Sequence, residues 1–241
     1  MIEAAVVTHP GSVRFRNEDT VALPGIMTVA PIEVPFSIRF ADGPVLFAVI
    51  DGMGGHRGGQ EASRLVAQSL LNDANADVRA ALVRANAAVY DEMQRVPDLR
   101  GMGATVAGVA IDGSDATVFN VGDARAYHFS QGYLMLATVD DRADPASAVV
   151  TQSLGGGDRP RAIDPHIAEV SLGDGDRLLL CSDGLSEVVP FGAIEEVLGG
   201  VTLDHAAAVL LRSALDAGAP DNVSIVVLEH AASGGVTSKG R

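Results

Sequence analysis

Residues 103–138 read GATVAGVAIDGSDATVFNVGDARAYHFSQGYLMLAT, and this stretch decides the fold class. Apolar runs at 104–111, 116–121, 124–129 and 133–138 are each too short for a typical helix. They are separated by the turn signals DGSD at 112–115 and SQG at 130–132. Short runs in such close succession predict hairpins and an antiparallel sheet. The same signature recurs at 4–8, 36–40, 45–50, 177–182 and 223–229, with GDGD at 173–176 as a further turn. Between these groups lie segments of another period. Residues 59–72 are rich in alanine and leucine. Over 76–96, Val78, Leu82, Ala85, Val89, Met93 and Val96 recur at spacings of three and four, which makes one apolar helical stripe ended by Pro97. Two more helices are predicted at 191–198 and 203–217, the second stopped by Gly218 and Pro220. Strands, a helix pair, strands, helices and a last strand make an α+β chain with helices layered on antiparallel sheets.

Composition narrows the function classes. The 241 residues suffice for a full core, and 47% of them are hydrophobic, so a disordered chain is excluded. Tryptophan is absent, leaving Ala, Val, Leu and Ile to fill the interior. Acidic residues outnumber basic ones 31 to 17, for a net charge of −14, which repels nucleic acid and anionic lipid. The single cysteine, Cys181, allows neither an intrachain disulfide nor a thiolate zinc cage. It lies in an apolar strand and reads as a core residue. No apolar stretch is long enough for a membrane helix, and MIEAAVVTHPGS lacks the pattern of a secretory signal, so a cytoplasmic monomer is expected. One domain is expected over 1–230, followed by a flexible tail, AASGGVTSKGR, at 231–241.

The chemistry is foreshadowed by three aspartates beside apolar strands. Asp51 follows VLFAVI and precedes Gly52, Asp183 follows RLLLCS and precedes Gly184, and Asp221 precedes Asn222 and VSIVV. A carboxylate at a strand mouth is rigidly held yet open to solvent, and a following glycine lets the backbone approach a ligand. Oxygen-rich sites of this kind suit Mg²⁺ and Mn²⁺. Each Asp-Gly alone is most simply a turn. Near the N-terminus, VRFRNED places two arginines ahead of Glu18 and Asp19. That is either a solvated charge run or a guanidinium fork for phosphate beside carboxylates that orient water.

These motifs, taken together and in order, resemble the bacterial branch of the metal-dependent protein phosphatases, the protein phosphatase 2C-like or PPM family. The matching segments are GSVRFRNED (11–19), VIDGMGGHRGGQEAS (49–63), GMGATV (101–106), NVGDARAY (120–127), LLLCSDGL (178–185) and PDNVSIVV (220–227). The resemblance implies a two-sheet antiparallel β-sandwich flanked by helix pairs, an α-β-β-α arrangement. It implies hydrolysis of phosphoserine and phosphothreonine on proteins, among them a serine/threonine kinase or its substrates, by in-line attack of a metal-bridging hydroxide. Asp51 would bridge two Mn²⁺ or Mg²⁺ ions, with Asp183 and Asp221 completing one site and the Gly52 carbonyl serving the other. Glu18 and Asp19 would support the second metal, and Arg14 would bind the substrate phosphate, leaving Arg16 a bystander. Asp123, with Asp183, would hold a third, weaker metal.

The chain departs from the family pattern in three places. Met53 stands where eukaryotic relatives carry a histidine, and nearby His56 reads as structural or solvent-facing. Asp141, in TVDDRAD, replaces an expected histidine. The flap, usually a few dozen residues, is confined to 141–151, which predicts a lower and more open wall. Conversely, residues 24–44 exceed the needs of a tight hairpin and could supply contacts of their own. Two other readings therefore stay open: a phosphatase-like module that keeps its metals but senses a partner, and a phosphatase of small phosphomonoesters.

Overall fold

The computed structural model describes residues 1–231 apart from 29, 42, 55–57, 75–76, 145–146 and 148. The tail beyond 231 and His56 lie outside the described residues. Along the chain the elements are β1 (Ile2–His9), β2 (Thr20–Leu23), β3 (Ile26–Met27), β4 (Ile32–Phe40) and β5 (Val45–Met53), then helices α1 (Gly58–Asn72) and α2 (Val78–Arg95). Strands β6 (Gly103–Asp112), β7 (Asp115–Val121), β8 (Arg125–Ser130), β9 (Tyr133–Leu136), β10 (Leu154–Gly155), β11 (His166–Ser171) and β12 (Arg177–Cys181) follow. The chain closes with α3 (Asp183–Ser186), α4 (Phe191–Gly200), α5 (Leu203–Asp216) and β13 (Val223–His230). Helix α2 begins after Asp77, whose side chain accepts a hydrogen bond from the Ala80 amide and so caps the first turn.

Two antiparallel sheets result. One runs β4-β1-β13-β12-β8-β9; the other runs β11-β7-β6-β5-β2-β3, with β10 attached to β6. Apolar runs without alternation follow from burial on both faces. In β12, Leu178 and Leu180 pack between the sheets, whereas Leu179 and Cys181 face α3, α4 and α5. In β5, Phe47 and Val49 point between the sheets, and Leu46, Ala48 and Ile50 pack on α1 and α2. Three stacked hydrophobic layers therefore define an α-β-β-α sandwich, the architecture that the motif resemblance implies. Each fully buried Leu, Val or Phe contributes roughly 1.5–3 kcal/mol.

The opening stretch needs one correction. Its four strands do not form one sheet: β6 and β7 pair in one sheet, and β8 and β9 pair in the other. The chain crosses at Gly122 and Asp123. Gly122 has φ +96°, and a Cβ there would lie 2.4 Å from the Thr105 side chain, so the crossing demands glycine. Within 24–44 the strand predicted at 36–40 is longer, running from Ile32 to Phe40. The segment leaves β3 in one sheet and becomes β4, the edge strand beside β1 in the other. β2, β3, β10 and β11 have no counterpart among the sequence-predicted strands.

Candidate metal centre

Period-two alternation brings the acidic residues together. In β5 the inter-sheet face runs Phe47, Val49 and then Asp51; ahead of β2, Asp19 continues the face of Val21 and Leu23. By the same count Ser182 extends the Leu178–Leu180 face, and Ser224 precedes Val226 and Leu228 on theirs. All four emerge at one end of the sandwich, where the apolar filling stops. Asp183 opens α3 there, and Asp221 sits in the turn before β13. A cleft of about 1510 Å³ opens over this end, and Arg14, Glu18, Asp51, Gly52, Asp123, Asp183 and Asp221 are all among its walls.

Backbone proximity explains the glycines. A Cβ on Gly52 would lie 2.1 Å from the Gly59 carbonyl oxygen and 2.6 Å from that of Glu18. A Cβ on Gly59 would fall 2.1 Å from Glu18 Oε2 and 2.7 Å from the Gly52 carbonyl oxygen. Strand β5, the start of α1 and Glu18 thus close on one another to a degree that side chains would prevent. A Cβ on Gly184 would meet the Asn222 carbonyl oxygen at 2.0 Å, which joins α3 to β13 in the same way.

Polar residues between the carboxylates fix their positions. The Ser182 hydroxyl donates to Asp19 Oδ2 (2.9 Å) and accepts from the Ser224 amide (3.0 Å). Asn222 holds the acidic N-terminal loop: its Nδ2 donates to the carbonyls of Pro10 (2.9 Å) and Arg16 (2.8 Å), and its Oδ1 accepts from the Glu18 amide (2.8 Å). Its own amide donates to Asp221 Oδ1 at 2.8 Å. Arg14 Nη2 donates to Asp221 Oδ2 at 2.6 Å, a solvent-exposed pair at the cleft mouth. Sequence reasoning does not assign Ser182 or Asn222 a part, although both sit inside quoted motifs; a small polar residue next to each aspartate was the available signal.

The carboxylates repel one another. Burial pushes the Asp19 carboxyl up to about 6, with the charge of Asp221 adding to it and the Ser224 and Ser182 hydroxyls pulling back. Burial, then the charges of Asp123, Glu187, Asp221 and Asp19, raise Asp183 to about 7. Asp51 stands well above the carboxylate range because it is buried and faces Asp19, Asp183 and Asp221. The buried oxygens Asp19 Oδ1 and Asp183 Oδ1 have no hydrogen-bond partner. An all-oxygen set with unspent acceptor capacity and uncompensated negative charge fits hard divalent cations. Among the described residues no three acidic, histidine or cysteine side chains already form a closed metal cage. Part of the reason is visible: Asp221 is turned to Arg14, and Arg142 reaches into the other flank.

That flank is formed by the shortened flap. Arg142 and Val150 make an isolated β-bridge that ties the two ends of the short flap together as a hairpin. Three successive residues anchor it. Asp140 accepts from Arg125 Nη2 at 2.7 Å. Asp141 accepts from the Gly122 amide (2.7 Å) and Gln152 Nε2 (2.9 Å), and pairs with His166 Nε2 at 2.9 Å. Arg142 binds Asp123, which burial pushes above the usual range and Arg142 pulls back. Asp141, standing where a histidine was expected, therefore serves as the hairpin's anchor. Cys181, opposite Arg125 in the pairing of β12 with β8, is fully buried and its thiol is raised to about 12 by burial, in keeping with a packing role.

A sandwich of two antiparallel sheets between helix layers, with clustered aspartates at its open end, defines the class of metal-dependent phosphatase folds. The chain belongs to the Protein phosphatase 2C family, whose pattern matches residues 36–208. It is 32% identical to the serine/threonine protein phosphatase PstP of Mycobacterium tuberculosis over 95% of its own length, but spans only 45% of that relative. It is 30% identical to the serine/threonine phosphatase stp of Listeria monocytogenes, covering 97% of this chain and 96% of that one. The crystal structure of the mycobacterial phosphatase superposes with a TM-score of 0.79 at 30% identity, covering 96% of this chain and all of the other. A second, of the PstP catalytic domain in complex with two manganese ions, gives 0.76 at 31% identity, over 95% of this chain and 99% of that one. Among the described residues no helix is long and apolar enough to cross a membrane.

Proposed function

We propose that this chain is a metal-dependent protein phosphatase that hydrolyses phosphoserine and phosphothreonine. The observation that carries the reading is the convergence of Asp19, Asp51, Asp183 and Asp221 on one open end of the sandwich, with more negative charge than the neighbouring Arg14 and Arg142 balance. Asp51, Asp183 and Asp221, with the Gly52 carbonyl, would hold the divalent cations, and Glu18 and Asp19 would support them. Bound there, Mn²⁺ or Mg²⁺ would supply neutralising charge and an activated water. The chain's own contribution is positional. Ser182 and Asn222 orient the carboxylates, and the inter-sheet packing of Phe47, Val49, Leu178 and Leu180 keeps their backbones rigid. Arg14 reaches over the mouth from an exposed loop, so its fork is free to exchange Asp221 for a phosphate group. Family membership and the manganese-bearing relative support the metal assignment. The named relatives support phosphoproteins as substrates; a serine/threonine kinase or its targets would be among them.

The test is Mn²⁺-dependent hydrolysis of p-nitrophenyl phosphate and of a phosphothreonine peptide, with Asp183→Asn as control. Activity on both, lost in the control, is expected. Turnover of the small ester alone would replace the reading by that of a small-phosphomonoester phosphatase, which the low hairpin wall would also accommodate. Metal binding without any turnover would leave a partner-sensing module.

A further inference from the structure

The hairpin delivers a cation to a place where the sequence resemblance puts a metal. Arg142 Nε and Nη2 lie 2.9 and 2.7 Å from Asp123 Oδ2, and Nη2 donates to Glu187 Oε1 at 2.5 Å. The same nitrogen is 3.9 Å from Asp183 Oδ2. Its side chain is only 7% exposed, and that of Asp123 5%. One guanidinium thus serves carboxylates from the β7–β8 crossing and from the end of α3, with the first residue of α3 within reach.

Building on the metal-centre reading, we propose that Arg142 is a built-in cation that takes the place of a third metal ion between Asp123 and Asp183. Three features separate this from an incidental ion pair. Burial removes the screening and side-chain freedom that make surface pairs weak. The arginine is not carried on a loose loop, because Asp140, Asp141 and the Val150 bridge anchor the hairpin immediately around it. It spans two protein carboxylates from a buried position, whereas Arg14 meets Asp221 alone at the exposed mouth.

A divalent ion entering this corner would meet a fixed positive charge on the same oxygens. Displacing the guanidinium from Asp123 would leave a buried charge with Glu187 as its remaining partner, a costlier outcome than losing an exposed pair. The corner therefore refuses the ion, and the short hairpin is held against α3 without one. The contact is covalently part of the chain and does not depend on metal concentration.

Counting Mn²⁺ bound per chain in the absence of substrate, by equilibrium dialysis with electron paramagnetic resonance of the free ion, tests this directly. The native chain should bind two ions and Arg142→Ala one more. Asp123→Asn should leave the native count unchanged, and combined with Arg142→Ala it should abolish the added ion. Three ions on the native chain, falling to two with Asp123→Asn, would overturn the proposal while leaving the phosphatase reading intact. So would an unchanged count in folded Arg142→Ala. If that variant fails to fold, the Asp123→Asn count alone decides. No Mn²⁺ on the native chain would overturn the metal-centre reading, and this inference with it.

Discussion

Asp183→Asn should stabilise the metal-free protein while destroying its response to metal. The Asp183 carboxyl rises from its ordinary value of 3.8 to about 7 in the fold. At 1.36 kcal/mol for each pKa unit, holding it ionised costs the folded state at most about 4 kcal/mol. A folded-state pKa above the unfolded value means that the folded chain binds the extra proton between pH 4 and 7. Stability therefore falls as pH rises through that window and stays low above it. Asparagine keeps the shape, removes the charge, and brings an amide that can donate to the neighbouring carboxylates. For a chain of this size 1 kcal/mol moves Tm by about 2–4 °C, so a gain on the order of 5–10 °C is expected at pH 8 in EDTA. The native protein should lose Tm from pH 5 to pH 8 more steeply than the variant. Saturating Mn²⁺ should reverse the order, because only the native site gains ligand-linked stability. The assay is differential scanning fluorimetry over this pH range, with and without metal. Equal metal-free melting points at pH 8, or equal pH slopes, would refute the reasoning from carboxylate repulsion.

Two further outcomes follow from the geometry. Gly184→Ala would set a Cβ 2.0 Å from the backbone oxygen of Asn222, where neither backbone can yield cheaply, so a loss of about 3 kcal/mol or more is expected in a urea melt. A variant as stable as the native chain would show that α3 and β13 are less tightly joined than described. Arg14→Ala should raise KM for a phosphopeptide about tenfold, whereas Mn²⁺ affinity should stay constant or rise slightly, since the exposed Arg14–Asp221 pair is worth about 1 kcal/mol or less. A fall in metal affinity matching the loss of phosphopeptide binding would assign Arg14 to the metal site instead.

Much of the fold was legible because its signals are local. Apolar runs ended by Gly and Asp marked nine strands close to where they occur, and the three-and-four spacing from Val78 marked α2. β2, β3, β10 and β11 escaped notice because they are short, or polar on an exposed edge, and are stabilised by partners distant in sequence. The division of residues 103–138 between two sheets was hidden for a related reason. An unbroken apolar run shows that a strand has two buried faces, but which sheet it joins depends on contacts such as Gly122 against Thr105.

The site divides along the same line. By itself the sequence determined which carboxylates stand at strand mouths: Asp51, Asp183 and Asp221 each abut an apolar run and are followed by a small or turn-forming residue. Their convergence with Asp19, and the repulsion that makes the group want cations, exist only once the inter-sheet faces are stacked and their ends lie together. The meaning of DDR at 140–142 was also decided by tertiary structure alone. As a string it is three charges after a strand. Folded, Asp140 holds Arg125, Asp141 holds Gly122 and His166, and Arg142 reaches Asp123 and Glu187. A charge acquires its role from the groups that share its low-dielectric surroundings, and those come from distant parts of the chain.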